Sequence, residues 1–282
     1  MIVRAAVVQM CSGLDVDANL AEAGTLLEEA ARGGATVVVL PENFAFMGRR
    51  EDDRVAIAEA PGDGPVQAFL AGRAAALGVW IVGGTLPVLA PGEPRPRASS
   101  ILYDPSGAAA ARYDKIHLFD VGIPGRSEGY RESAGTSAGE AVVVADTPAG
   151  RLGLAVCYDL RFPELFREMA ASGLDAISLP AAFTVPTGEA HWEVLVRARA
   201  VENLCSVLAA AQWGHHEGGR STWGHSMIVN HWGEVLACRP EGTGVVIADI
   251  DFAAQAHARA RFPALAHRRL GSAQVSRTEE SE

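Results

Sequence analysis

The sequence has few cysteines, a deficit of positive charge and no long apolar run. Cys11, Cys157, Cys205 and Cys238 are its four cysteines, and no C-x-x-C pair occurs among them. Neither a disulfide framework nor a zinc knuckle is indicated. Lysine and arginine total 24 against 34 aspartates and glutamates, a net charge of −10. That balance argues against nucleic acid as the main partner, and an anionic small molecule would have to be collected by local cations. No apolar stretch approaches the roughly 20 residues that span a bilayer. The opening Met1–Met10 is apolar but interrupted by Arg4, and it lacks a signal-peptide layout. No internal repeat is visible. These absences set the expectation of a cytoplasmic chain with no membrane or nucleic-acid partner. What is present, 49% hydrophobic and 21% charged residues, is ample for a sizeable core.

Strand and helix patterns alternate along the chain. Ile2–Met10 reads as a buried strand. Asp17–Arg32 reads as a helix with Leu20, Ala23, Leu27 and Ala30 on one face and Gly33 beyond its end. Thr36–Leu40 and Val79–Gly83 are short strands, with a helix opening at Pro65 between them. Ser99–Tyr103 and Ala108–Tyr113 flank the hairpin signal Asp104-Pro-Ser-Gly107. The segment 114–140 has no clear period and reads as a long loop, functional or disordered. Strands at 142–146 and 152–157, helix 161–172, strand 175–180, helix 189–203 and strand 206–211 follow. Further strand-like runs occupy 222–230, 234–238 and 244–250. The mixture of crossovers and hairpins predicts a layered α/β sandwich with mixed sheets. A single domain over 1–270 is expected, followed by a flexible tail over 271–282.

Three reactive side chains fall just beyond strand ends. Cys157 closes the alternating run Arg151-Leu-Gly-Leu-Ala-Val-Cys157, after which Asp159 is read as the cap of a helix whose first turn holds Pro163 and Glu164. A thiol facing a helix N-terminus would be biased toward thiolate. Glu42 follows Thr36–Leu40, and Lys115 follows Ala108–Tyr113. Ends of neighbouring strands can converge on one rim of a sheet, where α/β sites are built. A carboxylate, an ammonium and a thiol suffice for acyl transfer, as base, oxyanion partner and nucleophile, with the backbone N–H of Tyr158 as a second oxyanion donor.

Three segments, Leu40-Pro-Glu-Asn43, Tyr113-Asp-Lys-Ile-His-Leu-Phe119 and Gly153-Leu-Ala-Val-Cys-Tyr-Asp-Leu-Arg-Phe-Pro-Glu164, occur in the order found in the nitrilase, or carbon–nitrogen hydrolase, superfamily. The chain resembles that superfamily from Met1 to about residue 270. The resemblance implies a four-layer αββα sandwich and a Glu–Lys–Cys triad, which falls on Glu42, Lys115 and Cys157. It also implies a further glutamate, here Glu132, that positions Lys115 and the substrate. Pro180-Ala-Ala-Phe-Thr184, Thr187-Gly-Glu-Ala-His-Trp-Glu193 and Trp223-Gly-His-Ser226 are similar to the branch of ω-amidases and deaminated glutathione amidases. They bring Phe183 and Thr184 into the expected substrate-binding set. Ala210-Ala-Gln-Trp-Gly-His-His216, Arg131-Glu132-Ser133 and His267-Arg-Arg269 are closer to the second group. Val185-Pro186 and Gly188-Glu189-Ala190 depart from the pattern in what is expected to be a loop beside the pocket.

The function implied is cofactor-independent cleavage of deaminated glutathione to 2-oxoglutarate and cysteinylglycine, a metabolite repair. The alternative within the class is ω-amidase action on 2-oxoglutaramate or on another small carboxylate or carbamoyl amide. A metal-dependent hydrolase and a catalytically idle interaction module are the readings from other classes. Arg131 and Arg220 are the candidate cations for the substrate. Arg161 has two readings, a bidentate partner for a substrate carboxylate or an i,i+3 partner of Glu164, and the second is preferred. His191 and Trp192 are read as packing residues that open a helix, and Cys205 and Cys238 also as packing residues. His215, His216, His225 and His231 match no tetrahedral spacing, so no metal is expected. A homodimer or higher homo-oligomer is expected from the resemblance.

Overall fold

The computed structural model describes residues 1–122 and 129–269. The expected tail, 271–282, and Glu128 lie outside the described residues. In chain order the elements are β1 (Ile2–Gln9), α1 (Val16–Arg32), β2 (Val37–Val39), α2 (Pro65–Leu77), β3 (Trp80–Val82), β4 (Leu86–Val88), β5 (Arg97–Tyr103), β6 (Ala109–Asp114), β7 (Asp120–Gly122) and β8 (Gly129–Arg131). They continue with β9 (Val144–Thr147), β10 (Gly150–Leu154), α3 (Pro163–Ala171), β11 (Ala176–Ala181), α4 (Val185–Asn203), β12 (Ser206–Ala211), β13 (Trp213–His215), β14 (Ser221–Trp223), β15 (Ser226–Val229), β16 (Val235–Arg239), β17 (Gly244–Asp251) and α5 (Phe252–Arg261).

Two mixed sheets carry the fold. The first runs β17-β1-β2-β3-β5-β4, with β6 also paired to β5, and the second runs β16-β15-β12-β11-β10-β9. Strand β1 shows why they stack. Ala5 and Val7 point into the core shared with the second sheet, and Ala6 and Val8 point into the core under α1 and α2. From Ala5 to Val8 the strand is therefore apolar at every position, as expected for a stretch buried on both faces. Helices α3 and α4 cover the second sheet through Phe166, Met169, Trp192 and Val196. The result is the αββα order that the resemblance implies.

Direction then decides where the site lies. β1, β2 and β3 are parallel, as are β10, β11 and β12. β6 is antiparallel to β5, and β5 is antiparallel to β3, so β6 runs with β3. A parallel bridge between Met10 and Gln212 aligns the two sheets with each other. The C-terminal ends of β2, β6, β10 and β11 consequently open on one rim.

Several local expectations change. The run 222–230 splits into β14 and β15, which belong to different sheets, because Gly224 (φ 77°) and His225 (φ 57°) turn the chain between them. Helix α4 starts at Val185, four residues earlier than expected. Val185-Pro186 and Gly188-Glu189-Ala190 are its first turns rather than a loop, and His191 and Trp192 are interior to it. Proline at the second position fits there because no N–H acceptor is needed. Among the described residues, 114–140 is not a featureless loop. It carries the β7–β8 hairpin and a single helical turn at Glu132–Ala134. Helix α5 and strands β4 and β13 were not foreseen. Cys238 is exposed on β16, against the packing expectation, whereas Cys205 is buried.

Candidate active site

Each reactive group sits on a backbone constrained to present it. Glu42 follows β2, and Asn43 after it takes φ 57° with its N–H bonded to Thr85 Oγ1 at 2.9 Å. The Glu42 carbonyl accepts from Gln212 Nε2 at 3.0 Å, which ties this turn to the end of β12. Lys115 follows β6, its N–H bonded to Ala98 O at 3.0 Å. Cys157 has φ 48°, a left-handed conformation costly for a residue with a Cβ. It opens a tight helical turn, Cys157–Arg161, and α3 begins only at Pro163. The expected helix cap is corrected accordingly. The residue preceding α3 is Phe162, with no side-chain cap, and Asp159 points elsewhere.

The four central groups are buried together, with Glu42, Lys115, Glu132 and Cys157 all below a tenth exposed. Lys115 Nζ lies 2.8 Å from Glu42 Oε1 and 2.8 and 3.1 Å from the two oxygens of Glu132. Burial opposes the ammonium, but the two carboxylates outweigh it and hold Lys115 well above its ordinary range. Burial likewise opposes the Glu132 carboxylate, yet Lys115 and then Arg54 bring it below its ordinary value. The Cys157 thiol moves the other way. Burial, then the charge of Glu42, push it well above its ordinary value, while Lys115 and the Ala182 N–H pull it back. The expectation of a thiol biased toward thiolate by a helix dipole is therefore overturned. Burial and Glu42 thus oppose the thiolate that a helix dipole would favour.

Glu132 is the hub of a longer chain of alternating charge. It bonds Lys115, the Phe119 N–H at 2.8 Å and Arg54 Nη1 at 3.3 Å. Arg54 reaches Glu51 at 2.8 Å, and Glu51 reaches Arg220 at 2.7 Å. Arg220 does line the cleft, but its guanidinium is already ion-paired and stands over the Tyr130 ring. Arg161 does not pair with Glu164. Its Nη1 is 3.3 Å from His191 Nδ1, and the guanidinium lies over the rings of Phe183 and Tyr158. Among the described residues it has no carboxylate partner, and it lines the cleft. Phe183, Thr184 and Tyr158 line the cleft too. Arg131 is displaced. It is exposed on β8, opposite Asp120, and lines a second, more open concavity outside the first.

The inner cleft is narrow, a cavity of about 50 Å³. Its charged lining is Glu42, Glu51 and Glu132 against Arg54, Lys115, Arg161 and Arg220. The outer concavity shares Glu51, Tyr130, Thr184, Arg220 and Ser221 with it. His216 bonds Ser12 O and Thr222 Oγ1, and His225 stacks on Trp223. Among the described residues no three or more His, Cys, Asp or Glu groups are arranged to hold a metal, and no helix is long and apolar enough to cross a membrane.

Sequence reading missed Arg54, Glu51, Asp159 and the Ala182 N–H. Arg54 and Glu51 sit in the run Arg49-Arg-Glu-Asp-Asp-Arg54, which looks like a solvated face. One compositional signal did exist for the ammonium: Lys115 is the only lysine in a chain whose other cations are arginines.

The family described as carbon-nitrogen hydrolase matches residues 4–260. The chain is 43% identical over 277 residues to the deaminated glutathione amidase of Yersinia enterocolitica, covering 98% of this chain and 96% of that protein. It superposes on the crystal structure of the C. elegans NitFhit protein with a TM-score of 0.88 at 38% identity, over 95% of this chain and 65% of that one. It is also similar to an amidase from Nesterenkonia sp. AN1, with a TM-score of 0.77 at 27% identity, over 95% of this chain and 94% of that one. That structure shows covalent addition of the acetamide moiety of fluoroacetamide at the active-site cysteine. The chain belongs to the carbon–nitrogen hydrolases of the nitrilase superfamily, and it is an enzyme of the amidase type.

Proposed function

We propose that this chain hydrolyses a linear amide through a thioester on Cys157, without a cofactor. The observation that carries the reading is a buried ammonium held between Glu42 and Glu132, in the cleft that the buried Cys157 thiol also lines. Glu42 takes the thiol proton as sulfur attacks the amide carbon. The carbonyl electron pair moves onto oxygen, where Lys115 and the Tyr158 N–H stabilise it. The pair returns, the C–N bond breaks, and protonated Glu42 gives its proton to the departing amine. Water then attacks the thioester with Glu42 again accepting a proton. The second tetrahedral intermediate expels the sulfur, which recovers that proton. Glu132 holds Lys115, and Arg54 holds Glu132.

The substrate we infer is deaminated glutathione, an amide with a carboxylate on each side of the scissile bond. Charge supports this reading. In the inner cleft the networked cations all face carboxylates, and Arg161 alone has no anionic partner among the described residues. It suits the acyl-side carboxylate. The outer concavity holds Arg49, Arg50, Arg131 and Arg220 against Glu51 and Asp52. Arg50 pairs with Asp52 and Arg220 with Glu51. Arg49 and Arg131 have no carboxylate partner among the described residues, so they suit the carboxylate of the leaving amine. A free ω-amidase substrate would leave both idle. The kcat/KM for deaminated glutathione should exceed that for 2-oxoglutaramate at least about tenfold, or roughly 1.4 kcal/mol of transition-state binding. Arg49→Ala and Arg131→Ala should each shrink that ratio rather than lower both rates alike. Equal efficiency on the two amides would overturn the substrate assignment and leave the amide chemistry standing.

We also propose that the chain functions as a homodimer, paired through the outer face of α4. Val194 and Val201 lie two turns apart on that helix, and both are exposed. The turn at Gly233 packs on Val201, and Trp232 beside it meets Phe262 edge-on, with both rings largely exposed. Contiguous exposed apolar groups of this kind commonly mark an interface. Light scattering after size exclusion should give twice the chain mass, and Trp232→Glu should give the monomer. A monomeric parent protein would refute the pairing.

A further inference from the structure

Asp159 is fully buried, and its carboxylate accepts four hydrogen bonds from two different parts of the sandwich. Oδ2 accepts from the Val156 N–H at 2.8 Å and from Tyr113 Oη at 2.7 Å. Oδ1 accepts from the His117 N–H at 3.1 Å and lies 2.7 Å from His117 Nδ1. Val156 precedes Cys157, beyond the end of β10 in the second sheet. Tyr113 and His117 flank Lys115 at the end of β6 in the first. The Asp159 N–H also returns to Val156 O at 3.0 Å, so the bonds to Val156 enclose Cys157 and hold its left-handed backbone. The His117 ring stacks flat on Phe162, centroids 3.7 Å apart, which fixes the other arm.

We infer that Asp159 is a positioning residue that sets the alignment of the Lys115 ammonium with the Cys157 thiol, by tying the two strand ends that carry them. Only a carboxylate fits the place. Each of its oxygens faces a backbone N–H, which can donate and never accept. Asparagine, though isosteric, must turn its NH₂ toward either Val156 or His117 and so release one of the two strand ends. This inference rests on the catalytic roles proposed for Cys157 and Lys115.

The test compares two reactions of the same thiol in Asp159→Asn. Amide hydrolysis needs an oxyanion placed on Lys115. Alkylation by iodoacetamide does not, since sulfur forms a bond to a saturated carbon and iodide departs. With deaminated glutathione, or with the best amide of a panel, kcat should fall about a hundredfold, the scale set by an ångström-sized misplacement. KM should change by less than about threefold, because ground-state contacts are untouched. Alkylation of Cys157, followed on its own peptide by mass spectrometry, should slow by less than about fivefold. A kcat within about threefold of the parent, or alkylation slowed in proportion to kcat, would overturn the inference. If the asparagine variant fails to fold, Tyr113→Phe and His117→Ala each remove one donor and keep the carboxylate. Each should lower kcat several-fold at similar KM, and full kcat in both would equally overturn it. An active Cys157→Ala would instead defeat the underlying catalytic reading. An inactive one beside an unimpaired Asp159→Asn would remove the positioning role alone.

Discussion

Replacing Cys157 by alanine is expected to abolish turnover, by at least about a thousandfold, as nucleophile removal does in other covalent hydrolases. The fold should survive. The thiol is buried, but it is a small group at the head of a turn that Asp159 holds through main-chain bonds. The left-handed φ of 48° is already borne by a residue with a Cβ, so alanine adds no backbone cost. Cys157→Ser should be nearly as inactive. Burial and the charge of Glu42 already push the cysteine thiol well above its ordinary value, and a hydroxyl starts several units higher still, beyond reach of a carboxylate base. Steady-state rates and intact-protein mass after incubation with substrate check both variants. More than a few per cent of parent activity in the alanine variant would sink the nucleophile assignment.

Lys115→Met should cost both activity and stability, and the two can be separated. Losing one oxyanion partner is worth about a hundred- to a thousandfold in kcat. The same change leaves Glu42 and Glu132 facing an apolar side chain where each had an ammonium at 2.8 Å. Removing one partner from a buried ion cluster typically costs ~3–5 kcal/mol, so the melting temperature should drop clearly. Adding Glu132→Gln to Lys115→Met removes one of these two buried carboxylate charges, the one that Arg54 also faces. The double variant should recover part of the lost melting temperature and none of the lost turnover. Recovery of turnover together with stability would mean that Lys115 is structural, not part of the chemistry.

The legible part of the site was legible for a reason. Glu42, Lys115 and Cys157 each follow a strand whose apolar pattern shows where it ends, so their position at strand termini can be read locally. Glu132 was reached through resemblance, since nothing in Tyr130-Arg-Glu-Ser133 distinguishes a buried hub from a solvated charge. Asp159 was misread because aspartate before a proline-opened helix has the local signature of a cap. Its real partners, Tyr113 and His117, lie more than forty residues away in the chain. Helical spacing pairs Arg161 with Glu164, but the turn it occupies is not part of α3, and the side chain lies over Phe183.

The sequence by itself determined the apolar run that buries β1 on both faces, most of the strands and helices in their order, the reactive residue types and the family. These depend on periodicity and on short motifs, which are properties of neighbours in the chain. Only the tertiary structure decided which charges cancel. Arg220 is spent on Glu51 and Arg54 on Glu132, while Arg161, Arg49 and Arg131 form no ion pair among the described residues. It also decided that burial and the charge of Glu42 push the thiol above its ordinary value despite the nearby ammonium. Both outcomes follow from distances between groups remote in sequence and from the low dielectric around them, and neither quantity exists until the two sheets are packed.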